Sequence, residues 1–165
     1  MQEAWSLLAA ARATADLAIS IGTDEADIAA ALRRRCVGTL YYALFDLIRA
    51  ALADHVVGSA REPHSHPGWT KAFRAVEHTA LARAHKALTT SQDPGHGLVM
   101  VLNALNAARL AREGADFAPG WMIQEEELEQ LYLDIEFAMG LFDDIRGNRT
   151  VIGLLAVETL LRDRR

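Results

Sequence analysis

Apolar residues recur along this chain at intervals of three and four, and nowhere do they alternate with polar ones at a period of two. That is the spacing of amphipathic helices, whose faces repeat about every 3.6 residues, and it leaves no candidate strand. A first helix is predicted over 3–19, with Trp5, Leu8, Ala11, Ala15 and Ile19 on one face. Gly22 and Thr23 interrupt it. Asp24 and Glu25 then place negative charge on the first turn of the next helix, where the helix dipole favours an anion. That second helix, over 24–57, carries two adjacent apolar rows. Cys36, Leu40, Ala43, Leu47 and Ala51 form one; Tyr41, Phe45, Ile48 and Leu52 form the other. A face that wide belongs to a helix packed centrally in a bundle. Its remaining stripe, Arg35, Thr39, Tyr42, Asp46 and Arg49, is polar.

Gly58, Ser59, Pro63, Pro67 and Gly68 make 58–69 a loop. A third helix is predicted over 70–88, followed by a break at 89–97 that contains Pro94, Gly95 and Gly97. A fourth, over 98–113, turns Leu98, Val101, Leu102, Leu105 and Ala108 inward, and Gly114 is expected to end it. Residues 116–122, with Pro119 and Gly120, read as a turn. The fifth helix has the clearest period: Leu128, Leu131, Ile135, Ala138, Phe142 and Ile145. It opens on Glu125, Glu126 and Glu127, which suit the dipole, and Gly147 follows its end. Thr150 is expected to cap a short last helix bearing Val151, Leu154, Leu155 and Leu161. Trp69 and Trp121 flank turns and are expected to cover the ends of the bundle. The predicted fold is an all-α, up-and-down bundle of four to five core helices plus a short C-terminal helix, in a single domain over 1–165. A chain of this length buries roughly 70% of its unfolded surface, enough for one core.

Composition narrows the function classes. Seventeen basic against 22 acidic residues give a net charge of −5. That argues against a broad, non-specific nucleic-acid binder but leaves room for a local basic site. One cysteine, Cys36, rules out an intrachain disulfide and a Cys-rich zinc module. No apolar run approaches the roughly 20 residues that cross a bilayer, so no membrane is expected. The start, Met1-Gln2-Glu3, lacks the positive region of a secretory signal, and a cytoplasmic location is expected.

Within the second predicted helix, Arg34-Arg35-Cys36-Val37-Gly38-Thr39-Leu40-Tyr41-Tyr42-Ala43-Leu44-Phe45 resembles the R-R-x-V-S-R-A-Y-Y-A-x-F motif of HEPN domains. Downstream, Arg112-Glu113-Gly114-Ala115-Asp116-Phe117, ahead of an acidic helix start, is similar to the R-x-x-A-D-Y that precedes the last core helix in one branch of that family. The order and spacing of the helices agree over most of the chain. HEPN domains are prokaryotic all-α domains associated with nucleotide-binding partners and with toxin–antitoxin or defence systems. The resemblance therefore implies a bacterial homodimer, a nucleotidyltransferase-type partner protein, and RNA or a nucleotide as ligand. The chain also departs from the pattern. Gly38 and Thr39 stand where the family has Ser and Arg, and Phe117 replaces the Tyr. Ribonuclease members carry Arg-x(4–6)-His near the fourth helix or the turn after it, and neither Arg109 nor Arg112 has a histidine within that reach downstream. Such chemistry needs an imidazole to move a proton and an arginine to hold charge developing on phosphate. A binding or regulatory module is thus the preferred reading, with a metal-independent endoribonuclease using a composite Arg/His site as the alternative.

For that alternative the catalytic candidates are Arg109, Arg112 and His78. Asn103 and Asn106 recur with Arg109 every three residues on the fourth helix and are candidate binding residues, as are His64 and His66 in the loop. Arg61 and His66 satisfy Arg-x4-His by count, but in a Pro-containing loop. His64 and His66 with Glu62 could also bind a metal, but two histidines in a loop fit a weak adventitious site rather than a structural zinc. No metal and no cofactor are expected. His78 and His85 share a helix face. Arg34 is expected to form a partly buried ion pair with Asp116, tying the second helix to the turn after the fourth. Tyr41 and Phe45 are expected in the core, with Tyr42 facing outward. A di-iron bundle needs Glu-x-x-His pairs that do not occur here, and a helix-turn-helix regulator needs a more basic recognition helix.

Overall fold

The computed structural model describes residues 2–21, 25–58, 67–91 and 95–161. Among them the protein is an all-α helical bundle with no strand. Its helices are α1 (Gln2–Ser20), α2 (Ala26–Val57), α3 (Pro67–Ala75), α4 (His78–Thr89), α5 (His96–Phe117), α6 (Glu125–Ile145) and α7 (Arg149–Ala156). The last continues into a π-helical stretch, Val157–Leu161. The chain condenses into two compact units, Met1–Asp46 with Ala104–Met139, and Leu47–Asn103 with Gly140–Arg165.

In the first unit, α1 turns Ala4, Leu8, Ala11, Ala15 and Ala18 inward, an alternation of threes and fours made mostly of methyl groups. So small a face lets backbones approach closely, and the Cys36 thiol of α2 donates to the Ala11 carbonyl at 3.2 Å. Trp5 and Ile19, expected on that face, are instead 37% and 49% exposed. At its two ends the seam runs through Ala4 and Ala18, one position away, and the larger side chains are turned out. Helix α2 contributes Cys36, Val37, Leu40, Tyr41, Ala43, Leu44 and Phe45 to this unit's core, all buried. Tyr41 and Phe45 stack with ring centroids 5.4 Å apart. The unit's part of α6 adds Leu128, Tyr132, Ile135, Ala138 and Met139. Arg12 pairs with Glu129 and lies 4.6 Å over the Tyr132 ring.

Helix α5 does not stop at Gly114 but runs on to Phe117. The glycine serves a close approach instead: a β-carbon there would lie 2.5 Å from Trp121 Nε1 and 2.6 Å from its Cδ1. Beyond the turn, the Gln124 amide donates to Glu127 Oε2 at 2.9 Å. A carboxylate that reaches back over the first turn in this way satisfies one of the amides a helix start leaves unpaired.

The second unit takes Leu47, Ile48, Leu52 and Ala53 from α2 into its core. Pro67 opens α3 rather than closing the loop, because a first-turn proline forfeits no hydrogen bond. Trp69 is buried, donates its Nε1 hydrogen to Asp54 Oδ1 at 2.8 Å, and stacks on Phe73 at 5.1 Å. Arg49 closes the end of α3, donating from Nε to the Phe73 carbonyl at 2.9 Å with its guanidinium 4.1 Å over that ring. The single helix predicted over 70–88 is two. The break falls at Val76 and Glu77, where Val76 is buried and Glu77 is extended (φ −95°, ψ 155°). The cap of α7 is Asn148 rather than Thr150: its Oδ1 accepts from the amides of Thr150 (3.0 Å) and Val151 (3.3 Å).

The expectation about apolar length needs correction. Helix α2 contains an 18-residue window of mean hydropathy 1.4, long and apolar enough by composition to cross a membrane. Of that window 72% is buried inside the protein, which is how a core helix uses such a face.

Candidate functional site

The polar stripe of α2 opens onto a cleft of about 460 Å³ within the first unit. Arg34, Arg35, Gly38, Thr39, Tyr42 and Asp46 line it from α2, Leu7 from α1, and Arg112 with Asp116 from α5. The two sequence segments that carry the family resemblance thus meet in one cavity. Gly38 helps to make the space: a β-carbon on it would have no neighbouring atom within 4 Å. Thr39 turns its hydroxyl back to the Arg35 carbonyl at 3.0 Å, so its oxygen still has a lone pair to offer.

The three guanidinium groups are held differently. Arg34 does not pair with Asp116, the partner expected from the sequence. It donates to the carbonyls of Ala115, Ala118 and Trp121, the latter two at 3.3 Å. Ala115 lies in the last turn of α5, where carbonyls lack an in-helix partner and carry partial negative charge, so a fixed cation is well placed there. Asp116 is taken instead by Arg112, whose Nε donates to Oδ2 at 2.9 Å, one turn away on the same helix. Arg112 also sits 5.0 Å from the Tyr42 ring centroid and 5.4 Å from that of Tyr41. The two tyrosines meet edge to face at 5.4 Å. Burial raises the pKa of the Tyr41 phenol, and Arg112 pulls it only part of the way back. Tyr41, buried and outside the lining itself, is therefore a neutral support for Tyr42 at physiological pH. Arg35 is exposed, the least engaged cation of the lining.

Such a lining supplies fixed positive charge, a hydroxyl and an aromatic face, the groups that hold a phosphate and the ring attached to it. Among the described residues, it contains no imidazole.

The other candidates are distributed as follows. Arg109 lies in the first unit, ion-paired to Glu113, and donates to Asn106 Oδ1 at 3.2 Å. It is not part of the cleft lining. Asn103 lies in the second unit, 2.7 Å from His85 Nε2, and His78 opens α4 in that same unit. His64 and His66 lie outside the described residues. No group of three or more metal-ligating side chains occurs among the described residues. In the sequence, Arg35, Thr39, Tyr42 and Asp46 are visible only as a polar stripe. The signal that could mark them as a site is that the stripe lies on the same helix segment as the motif.

Compared with protein-family models, curated proteins and solved structures, the chain matches none.

Proposed function

We propose that the protein is a HEPN-like binding and regulatory module whose arginine-lined cleft takes a phosphate-bearing nucleotide ligand, free or within RNA. It works as a dimer in a prokaryotic toxin–antitoxin or stress and defence setting. The observation that carries this reading is the meeting of Arg34, Arg35 and Arg112 with Tyr42 and Thr39 in one cavity. Arg34 and Arg112 are already committed to carbonyls and to Asp116. Against Asp46 and Asp116, the three arginines leave the lining one positive charge in excess, and Arg35 supplies the adaptable contact. The phosphate is drawn by charge, and the base stacks on Tyr42. The absence of an imidazole among the described lining residues favours binding over cleavage.

The test is fluorescence anisotropy with a labelled single-stranded RNA and a labelled nucleoside triphosphate, repeated at rising salt. Binding should weaken with salt, and Arg35→Ala should weaken it about tenfold, as expected for one lost charge-assisted contact. No binding of either probe at about 100 μM would refute the reading. RNA cleavage in EDTA that is lost in both Arg112→Ala and His78→Ala would establish the endoribonuclease alternative instead. Sedimentation checks the dimer.

A further inference from the structure

A second concavity lies in the first unit, between α5 and α6, and is independent of the arginine-lined cleft. It is a groove of about 720 Å³ lined by Leu110 and Ala111 of α5, by Trp121, Met122 and Ile123 of the connecting loop, and by α6. Its floor and walls are largely apolar, yet two of its large side chains stand in water: Leu110 is 54% exposed and Met122 68%. Single exposed apolar side chains are ordinary, but two that wall the same groove describe a surface awaiting a cover.

The charge around it is one-sided. Glu126, Glu127 and Asp134 line the groove from α6. Four other acidic side chains of this unit are ion-paired: Glu113 with Arg109, Asp116 with Arg112, Glu129 with Arg12 and Glu125 with Arg33. The three groove carboxylates join no ion pair among the described residues. Glu127 accepts the Gln124 amide and Asp134 the Gln130 side chain, both neutral donors. Placement on the first turn accounts for the first two through the helix dipole, but Asp134 sits mid-helix, where the dipole gives it nothing. From Glu126 to Asp134 the acidic edge runs about 12 Å along α6, the length of roughly two helical turns.

We propose that this groove docks a basic amphipathic helix of a partner protein. Two or three aliphatic anchors spaced three and four residues apart would enter between Leu110, Met122 and Leu131. Lysines or arginines on the flanks of that helix would meet Glu126, Glu127 and Asp134. Burial of the anchors supplies affinity, and the uncompensated carboxylates select a basic helix over an acidic or neutral one.

The experiment uses the whole chain and a fluorescein-labelled synthetic peptide of about four helical turns, with leucines at i, i+3, i+4 and i+7 and lysines elsewhere. A scrambled peptide of the same composition and a Lys→Glu version serve as comparisons. The amphipathic basic peptide should bind at micromolar concentration, the other two at least about tenfold more weakly. Leu110→Ser and Met122→Ser, at exposed positions that leave the core intact, should each weaken binding about tenfold. Asp134→Lys should weaken it and flatten its salt dependence. Arg35→Ala, in the other cavity, should leave it unchanged. Three results would each overturn the proposal: equal binding of the scrambled peptide, indifference to the groove substitutions, or self-association abolished by Leu110→Ser, which would make the occupant a second copy.

Discussion

Replacing Gly114 by alanine tests whether this glycine exists for Trp121 or merely interrupts a helix. A β-carbon at this position would stand 2.5 Å, 2.6 Å and 3.0 Å from Nε1, Cδ1 and Cε2 of the Trp121 ring. Carbon atoms rest at about 3.5–4 Å, so the indole must retreat by about 1 Å. Its backbone is poorly placed to follow. The Trp121 amide donates to the Ala118 carbonyl at 3.1 Å, and its own carbonyl accepts from Arg34 at 3.3 Å. Overpacking of this kind costs about 1–3 kcal/mol. Against it stands the helix-propensity gain of alanine over glycine, about 1 kcal/mol. The net expectation for Gly114→Ala is a loss of up to about 2 kcal/mol. Gly38 and Gly140 are internal controls, since each lies inside a helix where an added methyl group would have no neighbouring atom within 4 Å. Alanine at either should stabilise by about 0.5–1 kcal/mol. Urea unfolding followed by far-ultraviolet circular dichroism measures all three. If Gly114→Ala is as stable as Gly38→Ala, the close approach of Trp121 has no energetic consequence and the reasoning fails.

Arg34→Met keeps the aliphatic stem but leaves the carbonyls of Ala115, Ala118 and Trp121 without their cation. It should cost about 2–3 kcal/mol in the same unfolding assay, while Asp116→Asn, which leaves those contacts intact, costs little. Burial pushes the Cys36 thiol up to about 11 from an ordinary value of 9.0. Because the unfolded thiol ionises first, this contribution to stability is whole below pH 9 and lost as pH rises toward about 11. It amounts to roughly 3 kcal/mol at most. Cys36→Ser should flatten that alkaline decline, and a thiol reagent at pH 8 should label the wild-type protein only in denaturant. Asn148→Ala removes the acceptor of two amides and should cost about 1 kcal/mol, whereas Thr150→Ala should change stability by less than half of that. Equal effects would return the cap to Thr150.

The helical class is legible in the sequence because the apolar rows of α2 are long: Cys36, Leu40 and Ala43 beside Tyr41 and Phe45 leave one period to read. What escapes such reading has a common cause, in that no local residue announces it. The break at Val76 and Glu77 contains neither glycine nor proline, so only the burial of Val76 and the extended backbone of Glu77 reveal it. Gly114 resembles a stop because a glycine near a helix end commonly is one, and only the position of an indole seven residues on explains it. Charge alone gives Arg34 an acidic partner, but backbone carbonyls at a helix end are equally good acceptors and carry no signature in the sequence. The cleft is half visible. Its stripe on α2 can be read from spacing, whereas the arrival of Arg112 and Asp116 beside it depends on how α5 packs.

The alanine seam of α1 has a bearing on access. Methyl groups bury little area, so Leu8, the Cys36 thiol at Ala11 and the half-buried pair of Arg12 with Glu129 add to the hold on this helix. Leu7, on the same helix, forms one side of the arginine-lined cleft. Any displacement of α1 would therefore change the cleft on its Leu7 side first, because the stacked rings of Tyr41 and Phe45 belong to α2.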